Sequence, residues 1–154
     1  RSNSSFWCIT IGNNKYFFLK RYTMASIFSK IVQGEILCHK IAETSDYLAF
    51  LDVRPLVRGH VLVIPKQEVS YIFDLEDNVL SGLHVFAKKI AKAIEKAIPC
   101  KRVGVAVIGL EVPHAHIHLI PLTKESDIYF SNTKLELTDD ELASIATSIR
   151  TFLA

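Results

Sequence analysis

Cysteine is scarce in this chain, and its spacing does not suit a disulfide framework. The 154 residues include three cysteines, an odd number, and no two of them form a Cys-x-x-Cys pair. A small secreted scaffold would need more cysteines in paired numbers. We therefore expect a reduced protein of the cytoplasm.

Long hydrophobic runs and an excess of one charge are also lacking. No apolar run approaches the ~18 residues that a transmembrane helix needs. The 18 basic and 16 acidic residues are interspersed and give a net charge of +2, so neither nucleic acid nor a membrane is expected as a partner. The content of 49% hydrophobic and 22% charged residues is typical of one globular domain.

The first 23 residues differ from the remainder of the chain. The only methionine is Met24, and a normal domain opening follows it. Upstream of it, residues 6–11 and 15–19 flank Gly12-Asn13-Asn14 and predict a hairpin, and the pattern of a secretory signal is lacking. We interpret residues 1–23 as an accessory extension, or as sequence upstream of a true start at Met24, and residues 24–154 as the domain.

Within the domain, strand-length apolar runs are interrupted by helical patterns. Strands are predicted at 36–42, 47–52, 60–65, 102–109 and 114–120, and a short helix at 26–32. A long amphipathic helix is predicted at 73–99 with Asp74 as its cap, and a capping box from Thr138 to Glu141 opens a C-terminal helix through Phe152. Short turns between strands predict antiparallel pairing, hence an α+β fold with a meander sheet.

Three of the six histidines, His114, His116 and His118, stand at alternate positions between apolar residues. In an extended strand, alternate side chains point to the same face at a separation of about 6.6 Å. Pro113 and Pro121 bracket the run, as is usual for residues that donate no ladder hydrogen bond. The pattern predicts a strand with three imidazoles on one face.

Such a row of imidazoles has two competing uses. A neutral central ring can attack an electrophilic phosphorus when an acceptor holds its Nδ1 proton, and the flanking rings can donate to phosphoryl oxygens. The same rings could instead bind zinc, copper or iron. The spacing alone does not choose between them.

The sequence His114-Ala115-His116-Ile117-His118-Leu119-Ile120 resembles the signature of the histidine triad (HIT) superfamily of nucleotidyl hydrolases and transferases. Further blocks at 27–36, 47–55 and 59–66 resemble, in the same order, the opening, the nucleoside pocket and the second core strand of the Hint-like and bacterial branch. The resemblance extends over about residues 26–121. It implies a sheet of about five strands and a homodimer that needs no cofactor.

The resemblance also implies roles for four histidines. His116 would be the nucleophile that forms a nucleotidyl-histidine intermediate, which water then resolves. His114 would orient His116, His118 would contact the α-phosphate, and His60 would complete the phosphate site.

A nucleotide pocket is implied by the same resemblance. Asp52 would accept hydrogen bonds from the ribose hydroxyls, although a turn cap is an ordinary alternative for it. The other implied pocket residues are Phe28, Phe50, Val53 and Gly109. The three apolar side chains among them equally suit a plain hydrophobic core.

Two departures from the family pattern bear on metal and substrate. Some relatives hold zinc with two cysteines and a histidine where this chain has Ser26, Ser29 and Glu68, so we expect no structural zinc. Leu110 stands in place of a polar amide and Glu111 in place of a hydroxylic residue. The contacts to the leaving group therefore differ from those of many relatives.

Three functions remain open from the sequence. The first is an enzyme that cleaves a phosphoramidate or phosphoanhydride bond at the α-phosphate of a purine nucleotide. The second is a purine-nucleotide-binding module with little turnover, which Leu110 and Glu111 favour. The third is a metalloprotein with His114, His116 and His118 as ligands.

Overall fold

The computed structural model describes residues 25–153, so the hairpin predicted at 6–19 and the start predicted at Met24 lie outside the described residues. Five strands form one sheet in which every neighbouring pair is antiparallel. The strands are β1 (Lys40–Glu43), β2 (Tyr47–Leu51), β3 (Val61–Pro65), β4 (Arg102–Ala106) and β5 (Ile117–Leu122). The helices are α1 (Ile27–Val32), α2 (Asp77–Ala97) and α3 (Asp139–Arg150). The predicted α+β class and strand number are confirmed.

The strand order is β1-β2-β3-β5-β4. The first three strands form a meander, after which α2 carries the chain across the sheet to β4 at the far edge. β5 then returns between β3 and β4, so it is hydrogen-bonded on both sides. This topology brings the histidine run to the interior of the sheet.

The predicted strand at 114–120 is shifted in the structure. β5 begins at Ile117, so His114 and His116 precede the strand, and Pro121 lies inside it rather than after it. Pro121 is tolerated because pairing with β3 has ended at Leu119, and only the β4 side continues past it.

The two faces of the sheet carry different cores. The larger core, under α2 and α3, includes Val61 and Val63 of β3 and also Ala115, Ile117 and Leu119. The smaller core, on the α1 side, is formed by Phe28, Leu48, Phe50, Leu62 and Ile64. In the register of β3 and β5, Leu62 lies opposite His118, so the histidines share the face of the smaller core.

Helix α2 is shorter than the predicted helix at 73–99. Residues Ile72–Asp74 form a separate 3-10 turn, and extended backbone at Leu75 (φ −70°, ψ 143°) ends that turn before α2 begins at Asp77. Asp74 is therefore not the cap of the long helix. None of the helices in the described part of the chain is long and apolar enough to cross a membrane.

The C-terminal helix begins as its sequence predicts. The Thr138 hydroxyl accepts the N–H of Glu141, and the Glu141 carboxylate accepts the N–H of Thr138. This reciprocal pair satisfies two donors at the helix start, which otherwise lack partners. α3 ends at Arg150, two residues before the predicted end.

Candidate active site

Four histidines are buried together on the face of the smaller core. His60 and His114 have no exposed surface, and His116 and His118 are only 6% and 8% exposed. The ring centroids of His116 and His118 are 4.8 Å apart, and those of His60 and His118 are 5.2 Å apart. The structure therefore assembles the four histidines that the sequence selected, although they come from two distant parts of the chain.

The tautomer of His116 is set by a backbone group. Its Nδ1 lies 2.7 Å from the carbonyl oxygen of His114. A carbonyl can only accept, so Nδ1 carries the proton and donates it, and the lone pair remains on Nε2. This is the form that nucleophilic attack requires. The contact from His114 to His116 is made by its main chain rather than by its ring.

His60 and His118 form a hydrogen-bonded relay. The N–H of Leu56 donates to Nδ1 of His60 at 3.2 Å, so the proton of His60 lies on Nε2 and is donated to Nδ1 of His118 at 3.0 Å. The Nε2–H of His118 is then left as a donor for a ligand. Burial, above all, lowers the pKa of each of these rings to about 3, so both are neutral near pH 7.

Asp52 borders this relay. Its Oδ2 lies 3.7 Å from Nδ1 of His60, and its side chain is 21% exposed. Its Oδ1 accepts the N–H of Arg54 at 2.8 Å, so the turn-capping role is real for one oxygen. The second oxygen makes no backbone hydrogen bond within residues 25–153, and it is available to a ligand.

The metalloprotein hypothesis requires His114, His116 and His118 to share one metal ion, and their nitrogens are not grouped in this way. Among residues 25–153, one group of histidine, cysteine or acidic side chains is close enough to share a metal ion, and it is Asp52, His60 and His118. His114 and His116 are outside that group. The nitrogens of His60 are moreover engaged with Leu56 and His118, so the geometry fits a hydrogen-bond relay better than a metal centre.

Phe28 is the implied pocket residue that lies against the histidines. Its ring packs edge-on against two of them, with centroid distances of 5.2 Å to His116 and 5.9 Å to His114. Phe50 lies next to Phe28, with their centroids 5.5 Å apart, and is buried in the smaller core. Of the two phenylalanines, Phe28 therefore contacts the histidine rings, and Phe50 packs behind it.

The other two implied pocket residues, Val53 and Gly109, lie in loops. Val53 is 60% exposed in the loop after β2. Gly109 has a left-handed backbone (φ +70°) in the exposed segment that precedes the histidines, and no hydrogen bond of the described chain joins it to them. No side-chain hydrogen bond within residues 25–153 joins either residue to the histidine rings.

A polar network surrounds His114. Its Nε2–H donates to the carbonyl of Pro65 at 2.7 Å, so its Nδ1 can accept from the hydroxyl of Ser26 at 3.0 Å. The Ser29 hydroxyl donates to Glu68, whose pKa this hydrogen bond lowers, and the Ser26 N–H donates to the same carboxylate at 3.0 Å. The three residues that replace the zinc ligands of some relatives thus meet around His114 as hydrogen-bonding groups.

Two further residues at the site carry no sequence motif. Phe130 packs edge-on against His118 with centroids 4.9 Å apart, and the ammonium of Lys134 lies 4.9 Å from the Phe130 ring centroid. Both belong to the segment at 127–138, which the sequence indicates only as a loop. In the sequence, the signal for these two residues is only that an aromatic and a basic side chain occur close together in that loop.

Comparison with known proteins agrees with this geometry. Residues 33–125 match the family model of the HIT domain. The chain is 40% identical over 104 residues to an adenosine 5'-monophosphoramidase of Schizosaccharomyces pombe, which is 66% of this chain and 77% of that protein. It is 32% identical over 127 residues to an asymmetrical bis(5'-nucleosyl)-tetraphosphatase of the same organism, which is 77% of this chain and 67% of that protein.

A solved structure shares the fold. A Hit-like protein of Bartonella henselae superposes with a TM-score of 0.73 at 30% identity, and the match covers 83% of this chain and 96% of the other. The matched segment 33–125 contains the sheet and all four buried histidines. By its sequence and its structure alike, this chain belongs to the HIT domain family.

Proposed function

We propose that this protein is a hydrolase that cleaves a phosphoramidate or phosphoanhydride bond at the α-phosphate of a purine nucleotide. The observation that carries the proposal is the Nδ1 proton of His116 held by the His114 carbonyl at 2.7 Å. It leaves a free Nε2 lone pair beside the neutral donor His118, whose ring centroid is 4.8 Å away. HIT relatives with nucleotide hydrolase names support the same reaction class.

The reaction would take place in two displacements at phosphorus. Nε2 of His116 forms a bond to the α-phosphorus while the bond to the leaving group breaks, and the leaving group departs with the electron pair and takes up a proton from solvent. Water then attacks the same phosphorus, the P–N bond breaks, and its electron pair returns to Nε2. Nucleoside monophosphate is released, and the second proton of water passes to solvent.

His118 would stabilise the charge that develops on the phosphoryl oxygens. Its Nδ1 is occupied by the proton of His60, so its Nε2–H is oriented as a donor before substrate arrives. A preorganised donor in a dry site is worth about 10²–10³-fold in rate. Burial lowers the pKa of His60 and of His118 to about 3, so both rings stay neutral near pH 7 and neither takes up a second proton.

The nucleoside would lie beside Asp52 and Phe28. The free oxygen of Asp52 is an acceptor for ribose hydroxyls, and the Phe28 ring, in contact with His116 at 5.2 Å, offers an apolar wall for a base. A base packed there would place the α-phosphate next to the nucleophile.

A nucleotide-binding module with little turnover is the second candidate. Leu110 is 88% exposed and Glu111 is exposed in the segment before the histidines, so this segment presents neither an amide nor a hydroxyl to a leaving group. Such a module would bind the nucleotide through Asp52 and Phe28 and would release it unchanged.

Turnover of a fluorogenic adenosine phosphoramidate separates the two candidates. The wild-type protein should hydrolyse it, and mass spectrometry after a brief acid-free quench should detect an adenylyl adduct on His116. His116→Ala should abolish turnover and keep nucleotide binding, because Asp52 and Phe28 remain. His84→Ala is the matched control, since His84 is exposed on α2 and bonds only to the Leu80 carbonyl. No turnover by the wild-type protein would reject the enzyme proposal, and wild-type turnover in His116→Ala would reject His116 as the nucleophile.

We also propose that two copies of the chain pair. β4 lies at the edge of the sheet, and its Val105 and the following Val107 and Ile108 are 56%, 40% and 43% exposed. An edge strand with exposed apolar side chains is readily covered by a second copy, and C2 pairing is the commonest arrangement. Light scattering should give the mass of a dimer at micromolar concentration, and a monomer would contradict the proposal.

A further inference from the structure

Lys134, in the segment at 127–138 after β5, places a positive charge near His118. The Phe130 ring contacts His118 edge-on, with their centroids 4.9 Å apart. The ammonium of Lys134 lies over the Phe130 ring, also 4.9 Å from its centroid. A cation is attracted to the face of an aromatic ring, so Phe130 holds Lys134 close to His118. Because His118 is the ring proposed to bind the α-phosphate, the neighbouring charge bears on the group attached to that phosphate.

Hydrogen bonds hold this segment in place. The N–H of Leu135 donates to the carbonyl of Pro55 at 2.8 Å, next to the loop that follows Asp52. The side-chain amide of Asn132 donates to the carbonyl of Ser126 at 2.7 Å. Lys134 is thus anchored on both sides along the chain, and its side chain is half-buried.

The charge of Lys134 is not neutralised within residues 25–153. The ion pairs of that part of the chain join other basic residues to acidic ones, and Lys134 makes none of them. Its field reaches the buried rings, because it contributes to lowering the pKa of His60 and of His118 after the larger effect of burial. A half-buried ammonium near His60 and His118 that makes no ion pair of its own within residues 25–153 is a site that an anion would complete.

Residues 107–113, before the histidines, include no basic side chain. The segment before the histidines presents Leu110, which has no polar group, and Glu111, whose carboxylate would repel an anionic leaving group. Lys134, which reaches His118 through Phe130, is a basic residue that can contact a negatively charged group beyond the α-phosphate.

We propose that Lys134 is a specificity-determining residue that binds the phosphoryl group next to the α-phosphate, and so selects substrates with an anionic phosphoanhydride leaving group over those with a neutral amine. The inference rests on the proposed function and names the leaving group that the site prefers. In this arrangement His118 donates to the α-phosphate, and Lys134 lies on the other side of the Phe130 ring, further from the nucleophile.

Two substrates with the same adenylyl half test the proposal. One is diadenosine tetraphosphate, whose leaving group is anionic, and the other is adenosine 5'-phosphoramidate, which loses ammonia. Lys134→Met should lower kcat/KM for the tetraphosphate by about 10- to 100-fold, the range for one lost hydrogen bond to a charged group. It should change kcat/KM for the phosphoramidate by less than about threefold, since no contact to that leaving group is lost.

Two controls isolate the charge. Lys134→Arg keeps a cation over Phe130 and should retain most of the tetraphosphate activity. Lys88→Met removes one charge from the exposed face of α2, and neither substrate should respond to it. Lys134→Gln, a polar neutral variant, replaces Lys134→Met if the latter fails to fold.

Equal losses for both substrates would mean that Lys134 serves the α-phosphate, and this result would overturn the proposal, as would no loss for either. If the wild-type protein hydrolyses neither compound, the proposed function fails, and binding still decides the role of Lys134. Calorimetry should then show that wild type prefers ADP to AMP and that Lys134→Met removes this preference. Equal ADP preference in both proteins would reject the role.

Discussion

Replacement of His60 tests whether the histidine relay is what makes His118 effective. His60→Leu removes the acceptor for the Leu56 N–H and the donor to Nδ1 of His118, which are joined to His60 at 3.2 Å and 3.0 Å. Each buried polar group left without a partner costs about 1–3 kcal/mol, so the two groups together cost about 2–6 kcal/mol of stability. Part of that loss is offset because leucine suits the buried position.

The rate should fall because His118 loses the group that orients it. The upper bound is the whole value of one preorganised donor, about 10²–10³-fold in kcat. Since His118 itself remains, we expect a loss of about 10- to 100-fold in kcat, with little change in KM, because Asp52 and Phe28 still hold the nucleoside.

His60→Gln is the matched variant. The glutamine amide nitrogen can occupy the place of Nε2 of His60 and can donate to Nδ1 of His118, so this variant should recover most of kcat. Steady-state kinetics with an adenosine phosphoramidate, together with nitrogen-15 NMR of the His118 tautomer, measures both consequences. If His60→Leu keeps wild-type kcat, or if the glutamine variant is no better than leucine, the relay does not contribute to the rate.

Further predictions concern pH, the triad and metal. Burial lowers the pKa of His60 and His118 to about 3, against about 6.5 in the unfolded chain. Their contribution to stability is therefore complete above pH ~6.5 and is lost as the pH falls toward 3. The urea midpoint of unfolding should decline across this pH window, and a flat profile would contradict the prediction. His118→Ala should lower kcat by about 10²–10³-fold. His114→Ala should lower it less, because its backbone carbonyl still holds His116; steady-state kinetics that rank them the other way would refute this. Metal analysis of protein purified without added metal should find no stoichiometric zinc, since Glu68 and two serine hydroxyls surround His114 where thiolates would be needed.

Patterns that depend on near neighbours were readable from the sequence. The alternation of histidine with apolar residues correctly separates Ala115, Ile117 and Leu119, which join the larger core, from the histidines on the other face. The capping box at Thr138 places the start of α3, because both of its hydrogen bonds lie within four residues. Antiparallel pairing followed from short turns between the first three strands. The resemblance added the grouping of His60 with the triad, which spacing alone does not reveal.

Features whose partners are distant in the chain were decided by the tertiary structure. Where β5 begins depends on the lengths of β3 and β4 beside it, and so Pro121 could lie within the strand. The proton position of His118 depends on the ring of His60, 58 positions away, which only folding brings near, whereas the proton of His116 is held by a carbonyl two residues before it. Phe130 and Lys134 reach the site only because the segment after β5 folds back onto it. Local propensity and periodicity determine the face to which a side chain points, whereas the proton positions of the buried histidines follow from their hydrogen-bond partners, which for His60 and His118 come from separate parts of the chain.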